Sequence, residues 1–405
     1  MKTIALATLV ALGVAAAPAP APAPALNGLW EASVQVNELK VPFKFGLSAS
    51  GQRVEGWFFN GEERVTSTGG QLTDGQLTLQ WAHYGTKLTA TVADGKLTGT
   101  YHTRRGGYAF AAQPAPKVSA SAAKPPQIEG LWEIPVKSPK GEQAWHFVVQ
   151  QKGAEVSATI LRIDGDTGAL TGRFEDGKLL LSHFSGARPS VLEVAPQADG
   201  TLALKWNGQT NYTATRQAEA RAKNLPAPSD PGAHTRAKNE SEPFRFSAPD
   251  LNGKLVTESD PKFRGKVVLV NISGSWCPNC HDEAPFLEAF YKKYRDQGLE
   301  IVALSFEEAE QLADPVRLRA FVAKYGLDYT VLLAGETSSA KEKLALQADN
   351  WNSWPTTFFL GRDGRVRHVH AGFAGKASGP LYEEAKKEFT ATVERLLGEA
   401  YRSAR

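Results

Sequence analysis

Residues 27–34 read Asn-Gly-Leu-Trp-Glu-Ala-Ser-Val, and residues 129–136 read Glu-Gly-Leu-Trp-Glu-Ile-Pro-Val. Gly28, Trp30 and Gly51 are matched by Gly130, Trp132 and Gly153, all displaced by 102 positions. Asp74-Gly75-Gln76-Leu77 returns at the same displacement as Asp176-Gly177-Lys178-Leu179. Asp94-Gly95-Lys96-Leu97 returns as Asp199-Gly200-Thr201-Leu202 after a small insertion. Self-similarity of this kind marks one structural unit folded twice. Within each copy, stretches such as Gly-Gln-Leu-Thr-Leu-Gln-Trp and Gly-Thr-Leu-Ala-Leu-Lys-Trp alternate apolar and polar residues, the period of a half-buried strand. Each is launched by Asp-Gly, which suits the positive φ angles of tight hairpin turns. The pattern predicts two tandem antiparallel all-β domains, each a small barrel or a sandwich.

Trp30, Trp57, Trp81, Trp132, Trp145 and Trp206 read as interior filling of these domains rather than as a ligand platform. His83, His102, His146 and His183 form no metal-binding spacing and read as surface or satisfied residues. Two segments poor in apolar periodicity, 114–127 and 219–242, read as linkers. The expected organisation is a first β-domain over 26–113, a linker to 127, a second β-domain over 128–217, a linker over 218–242, and a third unit over 243–405.

The first residues combine Lys2 with an apolar run from Ile4 to Ala17 that ends in small residues. This run is short for a membrane span and reads as an export signal. Pro18 hinders cleavage directly after Ala17, so a site further on, such as after Ala25, is expected. The alternating prolines 18, 20, 22 and 24 favour an extended spacer. Residues 1–25 are thus expected to be a signal peptide and spacer, and the protein to be exported and periplasmic, with an uncleaved segment that anchors it as the alternative. No cysteine lies nearby to carry a lipid. The net charge is only +3 and no basic stripe is present, which argues against nucleic acid.

From Pro243 the pattern changes. Residues 265–273, Gly-Lys-Val-Val-Leu-Val-Asn-Ile-Ser, form an apolar run suited to a strand buried on both faces. Leu287, Phe290, Tyr291 and Tyr294 then recur at helical spacing, and Gly298 suits the C-terminal cap. Residues 299–306 and 329–335 read as further buried strands. Between them a helix is expected with Asp314 as N-cap and Pro315 in the first turn. Two more strands and a long amphipathic helix close the chain, giving a mixed α/β domain.

The whole chain contains two cysteines, Cys277 and Cys280, in Ser-Trp-Cys-Pro-Asn-Cys. A structural staple closing so small a loop stabilises little. Zinc needs two more ligands, and His281 and His234 are the only recruits that suggest themselves; no metal or cofactor is expected. The pair lies where a buried strand ends and a helix begins. Free N–H groups and the dipole at a helix N-terminus favour a thiolate, which is the nucleophile in disulfide exchange. Cys277 is expected to be the more exposed, attacking sulfur and Cys280, one turn in and shielded, the resolving one. Pro278 has no N–H to lose in the first turn.

Residues 243–400 resemble the TlpA/ResA branch of the thioredoxin-like proteins, within the AhpC/TSA-redoxin superfamily. The resemblance rests on Val-Val-Leu-Val-Asn-Ile-Ser-Gly-Ser-Trp-Cys-Pro-Asn-Cys, on Glu283 and Pro285 shortly after, and on Trp-Pro-Thr-Thr-Phe-Phe-Leu-Gly-Arg-Asp-Gly-Arg-Val downstream. It implies a thioredoxin-like fold, a Cys277–Cys280 dithiol/disulfide cycle, a cis peptide at Pro355 beside it, and a role for Glu283 in setting proton affinity. Pro285 matches a helix-kinking proline. Trp276 is expected both to shield the cysteines and to pack. His281 and Trp354 depart from the residues usual at their positions. His281 is expected to be solvated, and Trp354 to alter partner choice. The resemblance further implies client protein disulfides as partners and a membrane thiol donor of the DsbD/CcdA type. The duplicated β-domains resemble no family known to us. Gly274 and Val270 occupy positions where a peroxiredoxin carries threonine and proline, which argues against peroxidase activity.

The expected function is that of an exported thiol–disulfide oxidoreductase, foremost a disulfide reductase, with a thiol oxidase as the alternative. The β-domains are expected either to bind a client, an envelope polymer or a membrane protein, or to act as spacers.

Overall fold

The computed structural model describes residues 26–116, 125–175 and 178–399. The expected signal segment 1–25, the middle of the first linker and the turn at Asp176-Gly177 lie outside the described residues.

The first repeat forms nine strands, from Gly28–Val36 to Gly106–Pro114. Sequence neighbours pair antiparallel, and the first strand also pairs with the last, from Trp30 opposite Pro114 to Gln35 opposite Ala109. Eight strands thereby close into an up-and-down barrel, and the short strand Glu63–Thr66 adds outside the ring on Arg53–Asn60. The second repeat, from Gly130–Pro135 to Thr210–Arg216, closes in the same order. Closure removes the exposed edges that an open sheet would present. The interior of the first barrel is filled by Phe45, Phe58, Trp81, Tyr101 and Phe110, all fully buried, so the barrel is a packed core. Asp74 and Gly75 both have positive φ, +50° and +74°, and so do Asp94 and Gly95, which is the reason for Asp-Gly at these hairpins.

The duplication extends to single hydrogen bonds. Trp30 Nε1 donates to Leu26 O at 3.0 Å, and Trp132 Nε1 to Ile128 O at 2.9 Å. Trp57 and Trp81 are also buried, whereas Trp145 and Trp206 are half-buried. The barrels are locked together by Phe184, a residue of the second that enters the end of the first. Its ring lies 4.8 Å from Phe43 and 5.1 Å from both Phe58 and Tyr101. Tyr101 Oη donates to Gly186 O at 3.0 Å across the same junction.

The linker expected over 219–242 is corrected. Gln217–Ala222 is a short helix against the second barrel, held by an Arg221–Glu133 ion pair. Pro231–His234 forms a turn from which His234 bonds Asn352 at 2.8 Å, and Arg236–Ala237 pairs with Ala348–Asp349. Isolated polar anchors, which carry no periodicity, order this stretch.

The C-terminal domain is built from strand β1 (Val267–Ser273), helix α1 (Pro278–Tyr294), β2 (Leu299–Glu307), α2 (Val316–Tyr325), β3 (Thr330–Glu336), β4 (Thr356–Leu360), β5 (Val366–Ala371) and α3 (Pro380–Gly398). The sheet order is β3-β2-β1-β4-β5, with β1, β2 and β3 parallel and β4 and β5 antiparallel. Every residue of β1 is buried, because neighbouring strands and both faces cover it. Leu287, Phe290 and Phe389 from α1 and α3 pack with Leu269 and Ile301 on one face. Phe244, Phe246, Leu344 and Trp351 pack with Val270 and Ile272 on the other. The expected N-cap of α2 is corrected by one residue: Pro315 occupies it, and the first-turn amide of Arg317 is met by Gln311 Oε1 at 2.9 Å. Among the described residues, no helix is long and apolar enough to cross a membrane.

Candidate active site at the start of helix α1

Strand β1 delivers the chain into Gly274-Ser275-Trp276, and Cys277 is the N-cap of α1. Cys277 Sγ accepts from the backbone N–H of Cys280 at 3.3 Å, so the sulfur itself meets an otherwise free amide of the first turn. Pro278 follows at the first helical position. Both cysteines are free thiols, so the Cys277–Cys280 disulfide implied by the resemblance is not formed here. Cys277, expected to be the more exposed sulfur, is nearly as buried as its partner: it is 3% and Cys280 2% exposed. Burial is the main cause that pushes the Cys280 thiol well above its ordinary range, followed by its hydrogen bond and proximity to Cys277 and then by Glu283.

Glu283 lies one turn further on and is buried. Its Oε2 accepts from Asn271 Nδ2 at 2.8 Å and its Oε1 from Thr357 Oγ1 at 3.2 Å. Burial pushes its pKa up to about 8, and these hydrogen bonds oppose that shift. A cavity of about 10 Å³ touches Cys280, Glu283, Asn271 and Tyr329, about the size that one water needs. Pro355 follows a cis Trp354–Pro355 peptide, and its carbonyl accepts from Gly372 N at 2.7 Å.

The turn before the cysteines is held from beneath. Glu307, at the end of β2, accepts from Ser275 N at 2.8 Å and Ser275 Oγ at 2.7 Å. Arg317, itself 3% exposed, reaches Ser275 Oγ at 2.7 Å and Glu307 at 2.6 Å. Trp276 Nε1 donates to Phe306 O at 2.9 Å, and its ring stands edge-on to Trp354 at 5.2 Å. Trp354 also packs against Trp351 at 4.9 Å, so it belongs to an aromatic cluster beside Pro355.

The expectation of a solvated His281 is overturned. It is 3% exposed, with Nε2 2.8 Å from Ser275 O and Nδ1 3.0 Å from Tyr325 Oη. Burial, then His83, push its pKa well down. His183 is buried and satisfied by Ala169 O at 3.0 Å and Ser185 Oγ at 3.1 Å, and His102 bonds Thr89. His146 is half-buried, with Nδ1 unpartnered. His83 contradicts its expectation outright. It is fully buried, neither ring nitrogen has a partner, and its ring lies 5.8 Å from that of His281.

What sequence reasoning missed is that both barrels grip this site. Asn279, between the cysteines, donates through Nδ2 to Asp164 O at 2.7 Å and accepts from Arg188 Nη1 at 2.6 Å. Asp282 accepts from Arg188 Nη2 at 3.0 Å and from Asn60 Nδ2 at 3.3 Å. Tyr84 packs against His281 with tilted rings, centroids 4.3 Å apart. Burial, then Asp282, push the Tyr84 phenol up, with a smaller contribution from Cys277. Corresponding loops do this in each copy: Asn60 and Asp164 come from one loop position, Tyr84 and Arg188 from another. The second loop spans 82–85 in the first barrel and 184–189 in the second, so two of the three residues inserted between the copies fall there. That departure from the repeat was the one available signal.

Comparison with known proteins agrees with this geometry. The profile of the AhpC/TSA family matches residues 241–369. The thioredoxin-like protein YneN of Bacillus subtilis is 35% identical over 128 residues, which span 31% of this chain and 68% of YneN. The thiol-disulfide oxidoreductase ResA of the same organism is 33% identical over 132 residues, 33% of this chain and 66% of ResA. The match spans 62% of the length of ResA from Bacillus thuringiensis, at 32% identity over 30% of this chain. A solved structure described as a thiol:disulfide interchange protein DsbE from Chlorobium tepidum covers 38% of this chain and 95% of its own, at 24% identity and a TM-score of 0.30. The fold and the dithiol place the C-terminal domain in the thioredoxin-like class. Through that domain the chain belongs to the AhpC/TSA-redoxin superfamily, on its TlpA/ResA branch.

Proposed function

We propose that this chain is an exported thiol–disulfide oxidoreductase that reduces disulfides of proteins in the cell envelope. The observation that carries this reading is Cys277 Sγ held at the cap of α1, with the Cys280 amide at 3.3 Å and Cys280 in the same turn. Cys277, as thiolate, attacks one sulfur of a client disulfide. The client S–S bond breaks, a Cys277–client disulfide forms, and the departing client thiolate takes a proton. Cys280 then loses its proton to Glu283, whose pKa of about 8 suits exchange with a thiol near neutral pH. The Cys280 thiolate attacks Cys277 Sγ, the Cys277–Cys280 bond forms, and the second client thiolate leaves and is protonated. The client gains two electrons and two protons, and the protein is left oxidised. An external dithiol, of the membrane thiol donor class, returns the electrons.

Trp276 precedes the attacking sulfur and packs on Trp354, the residue before Pro355, and Pro278 starts α1 without an N–H to satisfy. Export is supported by the apolar, small-residue-ended N-terminal sequence. Neither metal nor cofactor enters the cycle. The thiol oxidase alternative uses the same pair in reverse. The midpoint potential separates the two: near or below about −270 mV means a reductant, and approaching about −120 mV an oxidant. The assignment itself is tested by Cys280→Ser, which should accumulate mixed disulfides through Cys277 with a disulfide-bonded client protein. Full turnover by that variant without trapped adducts would sink it.

A further inference from the structure

The thiols proposed to meet a protein client are 3% and 2% exposed, and the second barrel is bonded to Asn279 between them. Its segment Ile163–Gly165 runs between the start of α1 and the turn that follows β5. A Cβ on Gly165 would stand 2.7 Å from the Asn279 side chain and 2.6 Å from Phe373 O. A Cβ on Gly372 would stand 2.0 Å from Ile163 O. Both positions have positive φ, +125° and +72°, so glycine serves the backbone and the close approach at once. Gly372 is also the residue whose amide bonds Pro355 O, so the segment passes over the Pro355 side of the dithiol. Its Asp164 carbonyl is already bonded to Asn279, in the middle of Cys-Pro-Asn-Cys.

The contact is anchored by charge. Arg188 has Asn279, Asp282 and Asp166 O within 3.0 Å. Asp166, 1% exposed, accepts from Ser378 Oγ at 2.9 Å. At the rim, Lys376 pairs with Glu63 of the first barrel and Arg104 with Glu308. Apart from the Tyr84 and His83 rings against His281, the anchors are hydrogen bonds and ion pairs, the composition of an interface that can part.

We propose that the segment Ile163–Asp166 is a displaceable internal occupant of the client groove, and that a protein client reaches Cys277 only when the barrels swing off this face. The partner that fits the vacated groove is an extended disulfide-bearing segment with small residues at the closest approach, bound by a main-chain carbonyl at Asn279 as Asp164 is. This rests on the oxidoreductase reading and names how its site is guarded.

The test is made on the full-length reduced protein. Iodoacetamide labelling of Cys277 should be at least about tenfold faster in Arg188→Ala than in the wild type, because loss of one partner from a buried charge pair costs more than that factor. Amide exchange should rise at 163–168 and at the start of α1 together, with the barrel strands still protected. Because Arg188→Ala could loosen its own barrel, a charge reversal supplies a second route. Glu63→Lys should speed labelling, and adding Lys376→Glu should slow it again. Equal labelling in wild type and Arg188→Ala, or no recovery in the double reversal, overturns the proposal. Failure of the function reading looks different: Cys277 labels faster in Arg188→Ala, yet Cys280→Ser in that background traps no client.

Discussion

Arg188 of the second barrel and Asp282 of α1 form a hydrogen-bonded ion pair, Nη2 to Oδ2 at 3.0 Å, with side chains only 15% and 16% exposed. Burial raises the Asp282 pKa to about 6, and Arg188 opposes that shift. The redox domain is thus joined to the barrels through the helix that carries its cysteines.

Glu283→Gln separates the two roles of its site. The folded pKa of about 8 lies above the ordinary carboxylate value of 4.5. The ionised group therefore costs stability that is absent below about pH 4.5, grows as pH rises, and is complete above about pH 8. The glutamine variant should gain thermal stability over the wild type above pH 8, by up to about 5 kcal/mol, and lose that advantage near pH 4. The rate of mixed-disulfide resolution should fall and lose its inflection near pH 8. Parallel melting curves at both pH values would refute the assignment.

Replacement of His83 by phenylalanine should stabilise the protein in acid. The folded pKa of about 4 lies below the ordinary 6.5, through burial first and Lys324 second; His281 also faces it. Its stabilising neutral state is lost as pH falls from about 6.5 through 4, worth up to about 3 kcal/mol. The variant should show a flatter denaturant midpoint between pH 7 and pH 4 than the wild type.

Arg317→Ala leaves Glu307 buried and without its cation. Breaking such a pair from one side costs about 3–5 kcal/mol. The turn at Ser275 should loosen with it, so the urea midpoint should fall and the Cys277–Cys280 potential should move. Arg317→Lys should recover part of the stability and less of the potential, because a single ammonium cannot serve both Ser275 and Glu307 as the guanidinium does.

Phe184→Ala opens a cavity where the barrels join. Truncation of a buried phenylalanine costs about 3–5 kcal/mol. Calorimetry should show the first barrel melting earlier, since Phe43, Phe58 and Tyr101 lose the ring that closes its end. An unchanged thermogram would mean that the barrels are not coupled through this residue.

Much of this was legible in the chain itself. The displacement of 102 positions, the Asp-Gly turns and the alternation of apolar residues determined two β-units, because hairpin geometry and strand period are local properties. Cys-Pro-Asn-Cys between an apolar run and a helical stripe determined a dithiol at a helix start for the same reason. Closure into barrels, the burial of both sulfurs, the unpartnered His83 and the grip of Arg188 on Asp282 were decided only by tertiary structure. They depend on which surfaces meet across long stretches of chain, 94 residues for Arg188 and Asp282, and no residue type or spacing encodes that meeting. Even the linker expected over 219–242 owes its order to single polar contacts with distant partners, where local composition promised none.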